Sequence, residues 1–184
     1  MRLDHIAYRS KDRHKTANFF KDALGYEVGT SFEVKFDDGS HADCLALVPP
    51  ENRPPDTSLW RMETALGFNE LEKEVQYHAP PEIFVSDGAR GSIVGEWVDA
   101  RGGVGGIHHI AYQCDSVGTT MKEWKEKGYA EFLSDEPMEC PGLKQVFTKP
   151  SELTGVIYEL ISRTGKGFCE DNVKALMEST KKLS

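Results

Sequence analysis

Two histidines and two carboxylates stand in this chain where polar side chains are costly. His5 lies in Leu3-Asp4-His5-Ile6-Ala7, and His109 in Ile107-His108-His109-Ile110-Ala111. Glu159 lies in Gly155-Val156-Ile157-Tyr158-Glu159-Leu160-Ile161. All three stretches are short and apolar, and they read as strands. Residues two apart on a strand share a face. His5 therefore sits with Leu3 and Ala7, His109 with Ile107 and Ala111, and Glu159 with Ile157 and Ile161. A carboxylate on such a face is tolerated when it is paired or bound to a metal. Glu82 opens Glu82-Ile83-Phe84-Val85, a weaker instance of the same pattern. Two histidines and one carboxylate form the donor set of a divalent-metal site with open positions, which suits iron(II). Glu82 as a fourth ligand would leave fewer positions open.

A lone strand histidine is more often a satisfied core residue, and Glu159 could pair with an Arg or Lys. A repeat argues for the metal instead. His5-Ile6-Ala7-Tyr8 recurs as His109-Ile110-Ala111-Tyr112, an offset of 104 residues. Phe20 and Trp124 keep that offset, and Gly25-Tyr26 answers to Gly128-Tyr129 one residue out of step. Both histidines thus occupy one position of a duplicated unit. By alternation, His108 points to the face opposite His109. His14, His41 and His78 have no partner pattern and read as surface residues.

The elements that must position these groups follow from the periodicities. Strands are predicted at 3–9, 26–36, 42–48 and 82–86, and again at 107–113, 130–133, 143–148 and 155–162. Helices are predicted at 11–24 and 115–127, each stopped by a glycine, Gly25 or Gly128. The fold class is α+β: two tandem βαβββ modules forming a half-open mixed barrel around a metal site. One domain is expected over 1–184, with module one at 1–100, module two at 105–163 and a closing helix at 167–182. An insert at about 50–78 interrupts module one after Pro49-Pro50, and 58–77 looks partly helical.

Composition bounds the rest. Acidic residues number 30 and basic residues 22, for a net charge of −8, which excludes a basic nucleic-acid footprint. No apolar run reaches the roughly 20 residues of a membrane helix. Cys44, Cys114, Cys140 and Cys169 form no CxxC pair, so reduced thiols and a cytoplasmic location are expected. The expected partner is a small-molecule substrate, with no nucleic acid, no membrane and a possible homodimer.

The duplicated strands resemble the metal-bearing first strands of the vicinal oxygen chelate superfamily, which includes glyoxalases, methylmalonyl-CoA epimerases and extradiol dioxygenases. The last third resembles the catalytic half of 4-hydroxyphenylpyruvate dioxygenase. The matching stretches are Gln145-Val146-Phe147-Thr148-Lys149-Pro150, Val156-Ile157-Tyr158-Glu159-Leu160-Ile161, and Gly167-Phe168-Cys169-Glu170-Asp171-Asn172. That resemblance implies His5, His109 and Glu159 as metal ligands. It also implies Gln145, Phe147, Phe168, Asn172 and Ser92 as substrate-binding residues. Iron(II) is the metal it points to first, with Mn, Co, Ni, Zn and Mg as alternatives. Val173 stands where that family carries an aromatic. The middle of the chain, Ser92 to Val98, resembles the epimerases, in which Glu82 falls at a ligand position and Cys44 at the place of a catalytic glutamate. Three functions follow from the resemblance. The first is an iron(II) dioxygenase acting on a small 2-oxo acid. The second is a divalent-metal isomerase, epimerase or lyase, with Glu159 itself as the base. The third is a binding protein without catalysis.

Overall fold

The computed structural model describes residues 1–50, 80–164 and 168–181. The first half contains β1 (Arg2–Arg9), α1 (Arg13–Leu24), β2 (Glu27–Lys35), β3 (His41–Val48), β4 (Glu82–Asp87) and α2 (Ile93–Asp99). The second half contains β5 (Gly106–Gln113), α3 (Val117–Glu126), β6 (Met138–Cys140), β7 (Leu143–Phe147) and β8 (Ile157–Arg163), followed by α4 (Glu170–Ser179). Each half runs β-α-β-β-β, as the repeat predicts. The eight strands form one sheet, curled into a half-barrel, in the order β2-β3-β4-β1-β5-β8-β7-β6. The two first strands, β1 and β5, pair antiparallel at its centre. Each first strand also pairs parallel with the last strand of its own half, β4 or β8.

The helices divide the two faces of the sheet. Asp12 caps α1 by accepting from the Lys15 backbone N–H, and Gly25 ends it at φ 74°, a left-handed conformation that glycine adopts without strain. Helix α1 buries Ala17 and Phe20 against Leu45, Leu47, Ile83 and Val85 on the outer face. Helix α3 does the same with Val117 and Met121 against Val146 and Leu160. With its outer face covered, the sheet curls its other face inward. Small residues, Ala7, Ala42, Cys44 and Ala46, leave room there, and Val173 and Met177 of α4 close over them. Leu176 of α4 packs on Phe147 and Ile157.

Two expectations shift. The strand predicted at 130–133 is reduced to one bridge, Phe132 to Thr148, and the third strand of the second half is β6. Phe132 is drawn instead into the cluster beneath α3. The stretch from Ser92 to Val98, where no helix is predicted, contains α2. Gly95 permits that helix, because a Cβ there would lie 2.2 Å from the Ala89 carbonyl oxygen. The insert helix predicted at 58–77 and His78 lie outside the described residues. Among the described residues, no helix is long and apolar enough to cross a membrane.

Candidate metal centre

The pairing of β1 with β5 brings the two histidines together. Ile6 faces Ile110, and the pairs on either side are His5 with Ala111 and Ala7 with His109. Each histidine thus faces the alanine of the other half's motif across a local twofold axis, and the small alanine leaves space for the ring. Strand β8 adds Glu159 beside Ala111. His5 Nε2 lies 3.3 Å from His109 Nε2 and 3.3 Å from Glu159 Oε2. His109 Nε2 lies 3.2 Å from that same oxygen. Ligands about 2.1 Å from one ion sit about 3.0–3.4 Å apart, so this triangle has the size of one face of a coordination shell. All three side chains are buried.

Glu82 does not join them. Its carboxylate accepts from Arg163 Nη2 at 2.9 Å. The register explains why. Parallel pairing sets Glu159 beside Ala111 in the second half and Phe84 beside Ala7 in the first. The counterpart of Glu159 is therefore Phe84, and Glu82 sits one pleat away, beside His5. A phenyl ring occupies the place where a fourth ligand would stand.

Alternation also fails just before each histidine. Leu3 pairs with Tyr112 and His5 with Ala111, which leaves Asp4 as the extra residue of a bulge. Ala7 pairs with His109 and Tyr8 with Ile107, which leaves His108 extra in the same way. The expectation that His108 faces away from His109 is thereby corrected: the bulge turns both rings inward, and His108 is buried. Each bulge residue engages the Nδ1 of the histidine that follows it. Asp4 Oδ1 lies 2.8 Å from His5 Nδ1, and His108 Nδ1 lies 2.8 Å from His109 Nδ1. Such outer partners fix the ring orientation of a ligating histidine. Arg163 anchors Asp4 in turn, through Nη2 at 2.9 Å and Nε at 3.1 Å.

A cavity of about 30 Å³ opens on the triad. Gln145, Phe147 and Phe168 line it as expected, and Phe84, Val173, Leu176 and Met177 join them. Two expected substrate residues are placed elsewhere. Ser92 caps α2, its hydroxyl accepting from the Gly95 N–H at 3.1 Å, so its role is to start a helix. Asn172 is buried in α4 outside the cavity lining, and its Nδ2 has no hydrogen-bond partner among the described residues. Sequence reasoning missed Phe84, Leu176 and Met177 because apolar residues at strand or helix spacing read as ordinary core. The Asp4 and His108 roles share one signal, since both precede a repeated histidine.

The triad holds a proton in the absence of metal. Burial opposes charge on His5, but Glu159 and Asp4 outweigh it and raise the imidazole to about 9. Burial likewise pushes Glu159 up, and His5 more than offsets that, holding the carboxyl at about 2. Burial keeps His109 below its ordinary value. A metal needs neutral His5, so it must displace this proton. Below about pH 9, metal uptake is expected to release close to one proton, and affinity is expected to fall about tenfold for each unit of lowered pH. Competition with a chelating indicator between pH 6 and 8 measures this, and a flat profile would contradict a proton shared by His5 and Glu159.

Comparisons with known proteins agree with the geometry. The bovine (Bos taurus) mitochondrial methylmalonyl-CoA epimerase is 23% identical over 159 residues, which cover 86% of this chain and 73% of that protein. The crystal structure of a methylmalonyl-CoA epimerase superposes with a TM-score of 0.62 at 18% identity, covering 90% of this chain and 97% of the epimerase. A triple mutant of 4-hydroxymandelate synthase from Streptomyces coelicolor superposes with a TM-score of 0.70 at 18% identity. That match covers 99% of this chain and 54% of the synthase, so the chain spans about half the synthase's length. The family model of the Glyoxalase/Bleomycin resistance protein/Dioxygenase superfamily matches residues 4–141, from the bulge before His5 to the end of β6. Repeat, strand order and family match converge: the chain belongs to the glyoxalase/bleomycin resistance protein/dioxygenase superfamily.

Proposed function

We propose that this chain is a metal-dependent oxygenase that oxidatively decarboxylates a small 2-oxo acid, with iron(II) held by His5, His109 and Glu159. The observation that carries this reading is Phe84 at the counterpart position of Glu159. Three protein ligands leave room for a chelating acid and for dioxygen, whereas a fourth would crowd them. Iron(II) bound there would supply Lewis acidity toward the chelating acid and electrons for dioxygen.

The chain's own residues have separable tasks. Asp4 holds the His5 ring with Nε2 toward the triad, and His108 does the same for His109. Phe84, Phe147, Phe168 and Leu176 give the cavity an apolar wall that excludes water. Gln145 offers an amide to the substrate within that wall. Cys44, at the place of an epimerase's catalytic glutamate, does not serve as a base. Burial, with Asp43 and Asp87 nearby, pushes its thiol far above the ordinary range, so it stays neutral. The synthase match also covers 99% of the chain against 90% for the epimerase.

A second reading is favoured by the epimerases among the relatives. In it, Glu159 removes a proton next to a metal-polarised carbonyl. Two assays separate the readings. Oxygen uptake on a panel of aliphatic and aryl 2-oxo acids, using iron(II)-loaded protein, is expected to be matched by carbon dioxide release. Silence across the panel, together with deuterium exchange into methylmalonyl-CoA, would favour the epimerase. Glu82→Gln is expected to leave iron bound and oxygen uptake measurable, because Glu82 is tied to Arg163. Loss of metal in that variant would place Glu82 among the ligands.

A further inference from the structure

Cys140 and Cys169 meet at one edge of the barrel. Cys140 ends β6, the edge strand of the sheet, and pairs with Leu143 across a tight turn. Cys169 is the residue from which α4 starts, and its side chain makes no capping bond. Helix α4 lies against β6, and both cysteines pack on one patch formed by Ala111, Leu143 and Ile161. Burial, contact with the Cys169 thiol and the Asp171 carboxylate push the Cys140 thiol up to about 11. Both cysteines are free and half-buried, within reach of a small oxidant, whereas Cys44 and Cys114 are buried.

The element that Cys169 starts also closes the triad. Its neighbour Phe168 stands edge-on to His5, with ring centroids 5.0 Å apart, and lies 4.9 Å from the Phe84 ring. Val173, Leu176 and Met177 of α4 line the cavity beside it. With α4 in this place the cavity measures about 30 Å³, room for about one or two waters. Any larger substrate reaches the triad only when Phe168 and α4 move aside. Elements that open to admit a ligand come from the less stable parts of a fold, and their motion gates turnover. Whatever ties the start of α4 to the sheet therefore controls access.

We propose that Cys140 and Cys169 form a reversible disulfide that locks α4 over the triad, driven by a small-molecule disulfide such as oxidised glutathione. One protein thiolate attacks the glutathione disulfide, which forms a mixed disulfide and releases one glutathione thiolate. The second protein thiolate then displaces the second glutathione. The two cysteines lose two electrons and two protons, and oxidised glutathione takes them up as two molecules of glutathione. The new bond ties the start of α4 to the edge of the sheet and removes open arrangements of the helix. Reduction frees the helix again. The lock rests on the reading that His5, His109 and Glu159 hold a metal only for its effect on that metal, and not on which reaction the metal serves.

The full chain loaded with manganese(II) and equilibrated in glutathione redox buffers tests this. Peptide mapping is expected to show one crosslink, Cys140 to Cys169, with Cys44 and Cys114 still reduced. Amide hydrogen exchange across α4 is expected to slow about tenfold or more on oxidation and to recover with dithiothreitol. Stripping of manganese by EDTA should slow in parallel. Cys169→Ser and Cys140→Ala are each expected to keep the reduced protein's rates in both buffers. Glutathione capping the two cysteines separately, or no reaction at either, overturns the disulfide. A crosslink that leaves exchange of α4 unchanged overturns the lock. Slowed exchange in protein that binds no manganese supports the lock and overturns the metal reading instead. Oxidised and reduced wild type decide the matter even if a variant does not fold.

Discussion

His109→Ala is expected to strip the protein of metal. The imidazole supplies one corner of a triangle whose other corners lie 3.3 and 3.2 Å away. With one of three protein ligands gone, affinity should fall by a hundredfold or more, on the order of one ligand's share of a metal site. The fold should survive, because His5 and Glu159 still pair and the sheet register does not depend on the ring. Metal analysis after dialysis, beside circular dichroism of the same sample, reads both quantities. Retention of one metal per chain with unchanged affinity would sink the assignment of His109 as a ligand.

Leu176→Ala should produce the largest loss of stability among simple substitutions in the closing helix. Leu176 is 4% exposed and packs on Phe147 and Ile157. Truncating a buried leucine costs about 2–5 kcal/mol, out of roughly 5–15 for a whole domain. For a chain of this size each kcal/mol lowers Tm by about 2–4 °C, so a fall of about 5–15 °C is expected. Because Leu176 also lines the cavity, the space it vacates enlarges the site without touching a ligand. Metal content should hold while Tm drops. An unchanged Tm would mean that α4 does not cover the barrel mouth in solution.

These two variants probe the parts of the molecule that came from different levels of description. The two histidines of the triad were legible in the chain as a repeat, with a polar residue at the same place in two apolar strands. Glu159 was legible as a carboxylate in an apolar run. Glu82 carried the same local signature and proved to be the partner of Arg163, a residue 81 positions away. Nothing in the local pattern separates the two glutamates. The difference is a register, which places Phe84 rather than Glu82 beside Ala7.

The amino-acid sequence by itself determined the duplicated βαβββ unit, its strand and helix types, and the two histidines and one carboxylate of the triad. It could do so because side-chain periodicity and burial cost act over a few residues at a time. The tertiary structure decided the rest: Phe84 as the counterpart of Glu159, the inward turn of His108, and Asp4 behind His5. Each depends on which residues of two distant strands face one another. A bulge adds one residue to one strand of a pair and so reverses which side chains face inward, from Asp4 to His5 and from His108 to His109. Alternation within a single strand carries no record of it, since the extra residue exists only relative to the partner strand.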